Sequence, residues 1–104
     1  MGQFSVHRNP APEDGEPAPY LLVVQHDLLA DLATVVVAPL IDDRVFGTPA
    51  RILNPVFVVE DRRVVLSIAE LAGVSRNTLG EKVTTLEPER EAILSALDLL
   101  FTGI

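Results

Sequence analysis

The chain has 104 residues, of which 48% are apolar, and it contains no cysteine. A chain of this length can bury a hydrophobic core without disulfides, and the absence of cysteine excludes thiolate chemistry and cysteine-based zinc sites. Its 15 acidic and 8 basic residues give a net charge of −7, which disfavours binding of nucleic acid through its phosphates. We therefore expect a single domain over residues 1–104 whose partner is a protein or a small molecule.

The N-terminal part of the chain predicts a β-hairpin with a long connection. Phe4 and Val6 alternate with polar residues in a short strand over residues 3–7, and a second strand is predicted over residues 20–25. Between them, residues 9–19 contain four of the eight prolines and three acidic residues. Because proline fixes φ and removes a hydrogen-bond donor, this segment is predicted to be an exposed loop.

The middle of the chain predicts three further strands. Residues 35–41 are apolar and β-branched, and Pro39 should bend this strand or place it at an edge. Residues 52–60 and 62–68 predict two strands joined by a tight turn at residues 60–62. The segment HDLLADLAT, residues 26–34, either forms a helical turn or packs as a loop. Residues 42–51 are predicted to be a polar connection, and Val83 indicates a last short strand.

The final segment, EREAILSALDLLFTGI, predicts an amphipathic helix. Pro88 suits the first helical turn, and the neighbouring glutamates suit its positive dipole end. At about 100° per residue, apolar side chains fall on one line along the helix. This line includes Ile104, which suggests that Ile104 completes the apolar face that packs against the core. The line contains Ile93, Leu97, Leu100 and Ile104, and it is widened by Leu94 and Phe101. The fold class is therefore mostly β with one C-terminal helix.

The sequence contains no recognisable catalytic motif. There is no nucleotide-binding loop, nucleophile elbow or paired-histidine zinc motif, so neither a cofactor nor a metal is expected. His26 beside Asp27 and Asp31 makes a poor metal site. The pairs Asp42–Asp43 and Glu60–Asp61 lie in predicted turns, where aspartate usually makes local hydrogen bonds. Neither a signal peptide nor a membrane-length apolar run is visible, so we expect a cytoplasmic location without membrane association.

Several short segments, in order along nearly the whole chain, resemble the CcdB family, the toxins of plasmid and chromosomal toxin–antitoxin pairs that poison DNA gyrase. The helix end matches the pattern AxxLxFxGI, which here contains Ala96, Leu99, Phe101, Gly103 and Ile104. Gln3–Phe4 resembles the opening strand of the family, and residues 24–29, VQHDLL, resemble its VQxD segment. The remaining matches are APL at 38–40, LNPVF at 53–57 and LGEKVTTLEPEREAI at 79–93.

This resemblance implies a small SH3-like β-barrel with an additional small antiparallel sheet and a C-terminal helix, assembled as a symmetric homodimer. It also implies binding to the gyrase A subunit, trapping of its complex with cleaved DNA, and neutralisation by a CcdA-like antitoxin, without catalysis. By residue-to-residue correspondence, the resemblance assigns gyrase binding to Asp98, Phe101, Thr102, Gly103 and Ile104, and to a second aliphatic patch at Leu28 and Leu29.

Two positions depart from the pattern of the family. Thr102 stands where a tryptophan often precedes the Gly-Ile pair, and Asp98 stands where an amide is familiar. These departures leave open a non-toxic homologue that only binds antitoxin. A second alternative is an endoribonuclease of the MazF and Kid type, which uses a similar barrel and would recruit His26, Arg44 and Arg51. For Leu28 and Leu29, packing in the core is the alternative to a binding role.

Overall fold

The computed structural model describes residues 2–10 and 18–104, so residues 11–17 of the predicted loop lie outside the described residues. Within the described ranges, an antiparallel sheet of seven strands curls around one side of a C-terminal helix. This arrangement confirms the predicted fold class. The elements are β1 (Ser5–Arg8), β2 (Tyr20–Val23), β3 (Thr34–Asp42), α1 (Asp43–Phe46), β4 (Val56–Val59), β5 (Arg62–Leu66), β6 (Ala72–Ser75), β7 (Lys82–Thr85) and α2 (Arg90–Thr102).

The predicted N-terminal hairpin is confirmed. Strands β1 and β2 pair antiparallel, with His7 opposite Leu21. The base of the long connection is closed by Asn9, whose backbone N–H donates to the Pro19 carbonyl at 3.0 Å and whose side-chain amide donates to the Ala18 carbonyl at 3.0 Å. Ala18 is buried, so the base of the connection is fixed and well packed.

Strand β3 organises the sheet because it changes partner along one of its edges. Its first half, Thr34 to Val37, pairs with β6, whereas Leu40 to Asp42 pair with β5. Pro39 lies where one partner ends and the other begins, and its carbonyl accepts a hydrogen bond from the Ser67 N–H at 3.0 Å. A residue without an N–H fits this gap in the ladder. The additional small sheet is thus continuous with the main one.

Strands β4 and β5 form the tight hairpin that the sequence predicts. Val59 pairs with Arg62, and the two turn residues, Glu60 and Asp61, have φ values of 50° and 63°, as a two-residue type I′ turn requires. The predicted start of β4 at residue 52 is wrong. Asn54 instead closes a turn before the strand, because its side-chain oxygen accepts from the Ala50 N–H and its amide donates to the Leu66 carbonyl.

Two elements appear where the sequence predicted irregular structure. The helix α1 follows directly from β3 because the Asp42 carboxylate caps it, accepting from the Arg44 N–H at 2.9 Å. Strand β6 has no alternating pattern, and it is ordered by pairing with β3. The segment after β2 contains a single 3-10 turn at Asp27–Leu29, which is the helical-turn alternative of the prediction.

The hydrophobic core lies between the sheet and α2, which buries Ile93 and Ala96 completely against the strands. A second, smaller cluster covers the opposite side of the sheet around Val23, Val35 and Val37. The main cluster contains Phe4, Val6, Tyr20, Leu22, Val24, Ala38, Leu40, Phe57, Val59, Val64, Leu66, Ile68, Leu86, Ile93 and Ala96.

Candidate functional site

The helix α2 ends in a defined geometry at the residues that the sequence singled out. Gly103 adopts a left-handed conformation, with φ of 74°, and its N–H donates to the Leu99 carbonyl at 3.0 Å. Glycine adopts this conformation without the strain that a side chain would add. The Thr102 hydroxyl donates to the Asp98 carbonyl one turn back, at 2.7 Å. The backbone of the helix tip is therefore closed by its own hydrogen bonds.

The side chains of this helix tip, residues 98–104, point largely into solvent. Phe101 is 67% exposed and Ile104 is 90% exposed, and Asp98, Thr102 and Gly103 are exposed as well. The suggestion that Ile104 completes the packing stripe is wrong, because the helix ends at Thr102 and the left-handed glycine turns the chain away from the helical path. An aromatic and an aliphatic side chain thus stand exposed at the end of an anchored helix.

A second exposed apolar surface is formed by the leucine loop, which we define as residues 26–33. Leu28 is 87% exposed, Leu29 is 48% exposed and Leu32 is 49% exposed, so packing of Leu28 or Leu29 in the core is wrong. His26 begins the loop and its Nδ1 accepts a hydrogen bond from the Leu28 N–H at 3.0 Å. Leu32 belongs to the same surface, although the motif that resembles the CcdB family includes only Leu28 and Leu29.

The two apolar surfaces are attached to opposite ends of α2 within one chain. The Asp27 carboxylate of the leucine loop accepts from the Gln3 N–H at 2.7 Å, and the Gln3 side chain in turn accepts from Arg90, the first residue of α2, at 3.5 Å. The helix has 13 residues, which corresponds to a length of about 20 Å. These contacts connect the leucine loop to the N-terminal end of α2, whereas the helix tip is its C-terminal end.

His26 and Arg44, two of the three residues considered for ribonuclease chemistry, are also kept apart. His26 lies beside the start of β3, where Gln25 contacts the Thr34 carbonyl, whereas Arg44 lies beyond its last residue. Nine residues of extended strand separate the two ends by roughly 25 Å. Arg44 is also paired with Asp42 at 2.9 Å. His26 and Arg44 therefore do not form a common acid–base centre within one chain.

His7 forms a buried pair with Ser5, whose hydroxyl oxygen lies 3.0 Å from His7 Nε2. The other ring nitrogen, Nδ1, faces the Gly80 carbonyl at 3.0 Å. Because a carbonyl only accepts, Nδ1 donates to Gly80, and in a neutral imidazole Nε2 then accepts from the serine. A serine activated by a histidine is a nucleophile arrangement, yet Ser5 is completely buried, so no substrate reaches it. The pair fixes β1 against the segment before β7.

A charged cavity of about 370 Å³ lies beside α1 and the turn after β4. Asp42 is its central residue and pairs with Arg44 at 2.9 Å and with Arg62 at 3.0 Å, while Arg63 pairs with Asp43 at 2.7 Å. Hydrogen bonds from Arg44 and then Arg62 hold the pKa of Asp42 well below its ordinary value. The cavity is lined by three carboxylates and three guanidinium groups: Asp42, Asp43, Arg44, Asp61, Arg62 and Arg63.

Glu60 makes long-range contacts where the sequence predicted only local ones. Its carboxylate accepts from the buried Tyr20 hydroxyl at 2.5 Å and from both terminal nitrogens of Arg8 at 2.9 and 3.1 Å. These hydrogen bonds, that from Tyr20 first, lower the pKa of Glu60. The β4–β5 turn is thereby joined to β1 and β2.

No group of three or more potential metal ligands is found among the described residues.

The fold defines a small protein with a curled, barrel-like β-sheet and one C-terminal helix, and the end of that helix is exposed. The sequence matches the family described as "CcdB protein" over residues 3–103. The chain therefore belongs to the CcdB family, which supports the assignment as the toxin component of a toxin–antitoxin system, with an antitoxin as partner. A search of curated protein sequences gave no match.

Among solved structures, the chain is similar to the Mycobacterium tuberculosis toxin MazF-mt6. The TM-score is 0.72 at 17% sequence identity, and the alignment covers 93% of this chain and 95% of the other. At this level of identity the similarity concerns the fold, which is a related barrel. Within the described residues, the longest apolar helix is too short to cross a membrane.

Proposed function

We propose that this chain is a gyrase poison that acts by binding and not by catalysis. Its helix tip docks on the A subunit of DNA gyrase and traps the complex of that subunit with cleaved DNA. The observation that carries the proposal is the exposure of Phe101 and Ile104 at the end of a helix whose other side is buried through Ile93 and Ala96. Membership of the CcdB family supports the choice of gyrase as the partner.

The geometry of the helix tip suits such a contact. Exposed aromatic and aliphatic side chains provide binding energy when a partner removes them from water. Gly103 and Thr102 are both hydrogen-bonded to the preceding helical turn, so little backbone freedom is lost on docking. Thr102 offers less surface than a tryptophan, and we therefore assign the main contacts to Phe101 and Ile104.

We further propose a cytoplasmic homodimer. The leucine loop and the helix tip are connected to opposite ends of α2. In a dimer, the helix tip of one protomer and the leucine loop of the other can contact the same gyrase molecule. The cognate antitoxin, a CcdA-like chain, neutralises the toxin by docking on the dimer. Sedimentation analysis of the purified protein tests the dimer directly.

The proposed function is tested by a gyrase cleavage assay with supercoiled plasmid, gyrase of the host species and ATP. After treatment with detergent and protease, linear DNA should accumulate with the full-length protein. A variant lacking Gly103 and Ile104 should give no linear DNA while keeping its circular dichroism spectrum, because only the exposed helix end is removed. Equal cleavage by the truncated and the full-length protein would show that the tip is not the contact.

Two other outcomes separate the alternatives. A folded dimer that binds antitoxin without causing gyrase cleavage would identify a non-toxic homologue. Cleavage of RNA by the same preparation would identify a ribonuclease, and substitution of His26 or Arg44 should then abolish that activity. The separation of these two residues along β3 counts against the second outcome.

A further inference from the structure

The leucine loop combines strong apolar exposure with a well-fixed backbone. The N–H groups of Leu29, Ala30 and Leu32 donate to the carbonyls of His26, Asp27 and Leu29 at 3.0, 3.0 and 3.1 Å. Exposed loops with little buried apolar surface usually open at low free-energy cost, and one 3-10 turn is marginal on its own. The order of this loop therefore needs support from outside its own segment.

That support comes from Arg76, which follows β6. Its guanidinium donates through Nε to the Leu32 carbonyl at 2.5 Å and through a terminal nitrogen to the Leu29 carbonyl at 3.0 Å. Its backbone N–H donates to the Ala33 carbonyl at 3.1 Å. The pairing of Thr34 with Ser75 places Arg76 directly beside the loop. One side chain thus joins the carbonyls of two of the three exposed leucines.

The planar fork of arginine suits this role because it directs two donors in a fixed geometry. An ammonium group has three donors on a flexible stem and sets no distance between its acceptors, whereas the planar guanidinium fixes the distance between the Leu29 and Leu32 carbonyls. Gln25 supports the same turn, donating to the Leu29 carbonyl at 3.2 Å. Together these hydrogen bonds fix the backbone that carries Leu28, Leu29 and Leu32 before any partner arrives.

We infer that Arg76 is a positioning residue that holds the leucine loop in the conformation that binds the gyrase A subunit, and that Leu32 is a third contact residue beside Leu28 and Leu29. The inference rests on the proposed function for the identity of the partner. It concerns a residue that acts through the loop and does not itself touch gyrase. Pre-ordering three apolar side chains reduces the entropy lost on binding.

The test measures the loop and the partner separately. In Arg76→Ala, amide hydrogen exchange at Leu29, Ala30 and Leu32 should accelerate about tenfold, since about two hydrogen bonds are lost. Affinity for the purified gyrase A subunit should fall about tenfold, because the partner must then order the loop. Arg76→Lys should recover part of both effects. Arg63→Ala, which removes an exposed arginine elsewhere, should change neither.

Each outcome decides the inference. Unchanged exchange in Arg76→Ala would overturn the positioning role, whatever happens to binding. Faster exchange with undiminished gyrase binding would show that loop order does not serve this contact, and it would also overturn the inference. If the unmodified protein fails to bind gyrase, the proposed function fails, while the exchange result still upholds or overturns the coupling between Arg76 and the loop. Leu32→Ser should weaken gyrase binding without accelerating exchange in the loop, and undiminished binding would remove Leu32 from the contact.

Discussion

Gly80 is a position where the sheet tolerates only the smallest residue. A Cβ atom at this position would lie 2.5 Å from the Arg8 carbonyl oxygen, and the Gly80 N–H already donates to that oxygen at 3.2 Å. The backbone approaches closely here because β7 must run beside β1, and a side chain would push the two segments apart.

We therefore expect Gly80→Ala to lower the free energy of unfolding by about 1–3 kcal/mol, as other overpacking substitutions do. Gly73→Ala is the matched control, because nothing lies within 4 Å of the added methyl group. Its effect should stay within about 0.5 kcal/mol. Urea denaturation of the three proteins measures both values, and equal stability of the Gly80 variant would show that the strands adjust freely.

For single residues, the sequence predicted the local setting of a side chain better than its hydrogen-bond partners. Glu60 was correctly placed in a turn, whereas Asp42, also predicted in a turn, ends β3 and caps α1. Arg44 is a local partner of Asp42, but Arg62, Tyr20 and Arg8 reach these two carboxylates from other strands. Nothing in a local pattern indicates that Tyr20 reaches Glu60. The exposure of Ile104 was also not predictable from helical periodicity, since periodicity takes no account of where Gly103 ends the helix.

The helix α2 carries packing on one face and the proposed binding residues at its end, and substitutions separate these roles. Ile93→Ala should lower the free energy of unfolding by about 2–5 kcal/mol, because this side chain is fully buried against the sheet. Phe101→Ala should change stability by less than about 0.5 kcal/mol, because the ring is mostly in solvent. The Phe101 variant should nevertheless lose gyrase cleavage, and a large loss of its thermal stability would contradict this division.

Elements with a clear sequence pattern were predictable, and short elements without one, which are ordered by their neighbours, were not. The alternation in β1, the apolar run of β3 and the amphipathic pattern of α2 each gave the right element. Strand β6 is four residues long and contains a glycine, and only the free edge of β3 makes it a strand. The four-residue helix α1 is too short for any period and depends on its Asp42 cap.

The charged network across the molecule predicts a defined loss of stability in acid. The folded protein holds the pKa of Asp42 and Glu60 below their ordinary values, so it binds fewer protons than the unfolded chain at these groups. Their contribution is complete above about pH 5 and is lost as pH falls through the usual carboxyl value of about 4 towards the lower native value.

Urea unfolding at several pH values between 7 and 3 measures this contribution. Asp42→Asn should be less stable than the unmodified protein at neutral pH, because Arg44 and Arg62 lose their common partner. It should also lose less stability on acidification, since one titrating group has been removed. Parallel stability curves for the two proteins would show that Asp42 does not contribute to acid sensitivity.

The position of β1 in the sheet has a consequence for synthesis on the ribosome. One edge of β1 pairs with β2, but the other pairs with β7, so that Ser5 meets Thr85 and the Phe4 carbonyl accepts from the Leu86 N–H. Sheets with such distant pairings fold slowly, over milliseconds to seconds, because the chain between them must first be available. The nascent chain cannot close its sheet until β7 has emerged, and the helix that follows has no finished surface to dock on before then. The helix whose tip is proposed to poison gyrase therefore docks only after β7 has been made, which gives an antitoxin made alongside it time to arrive.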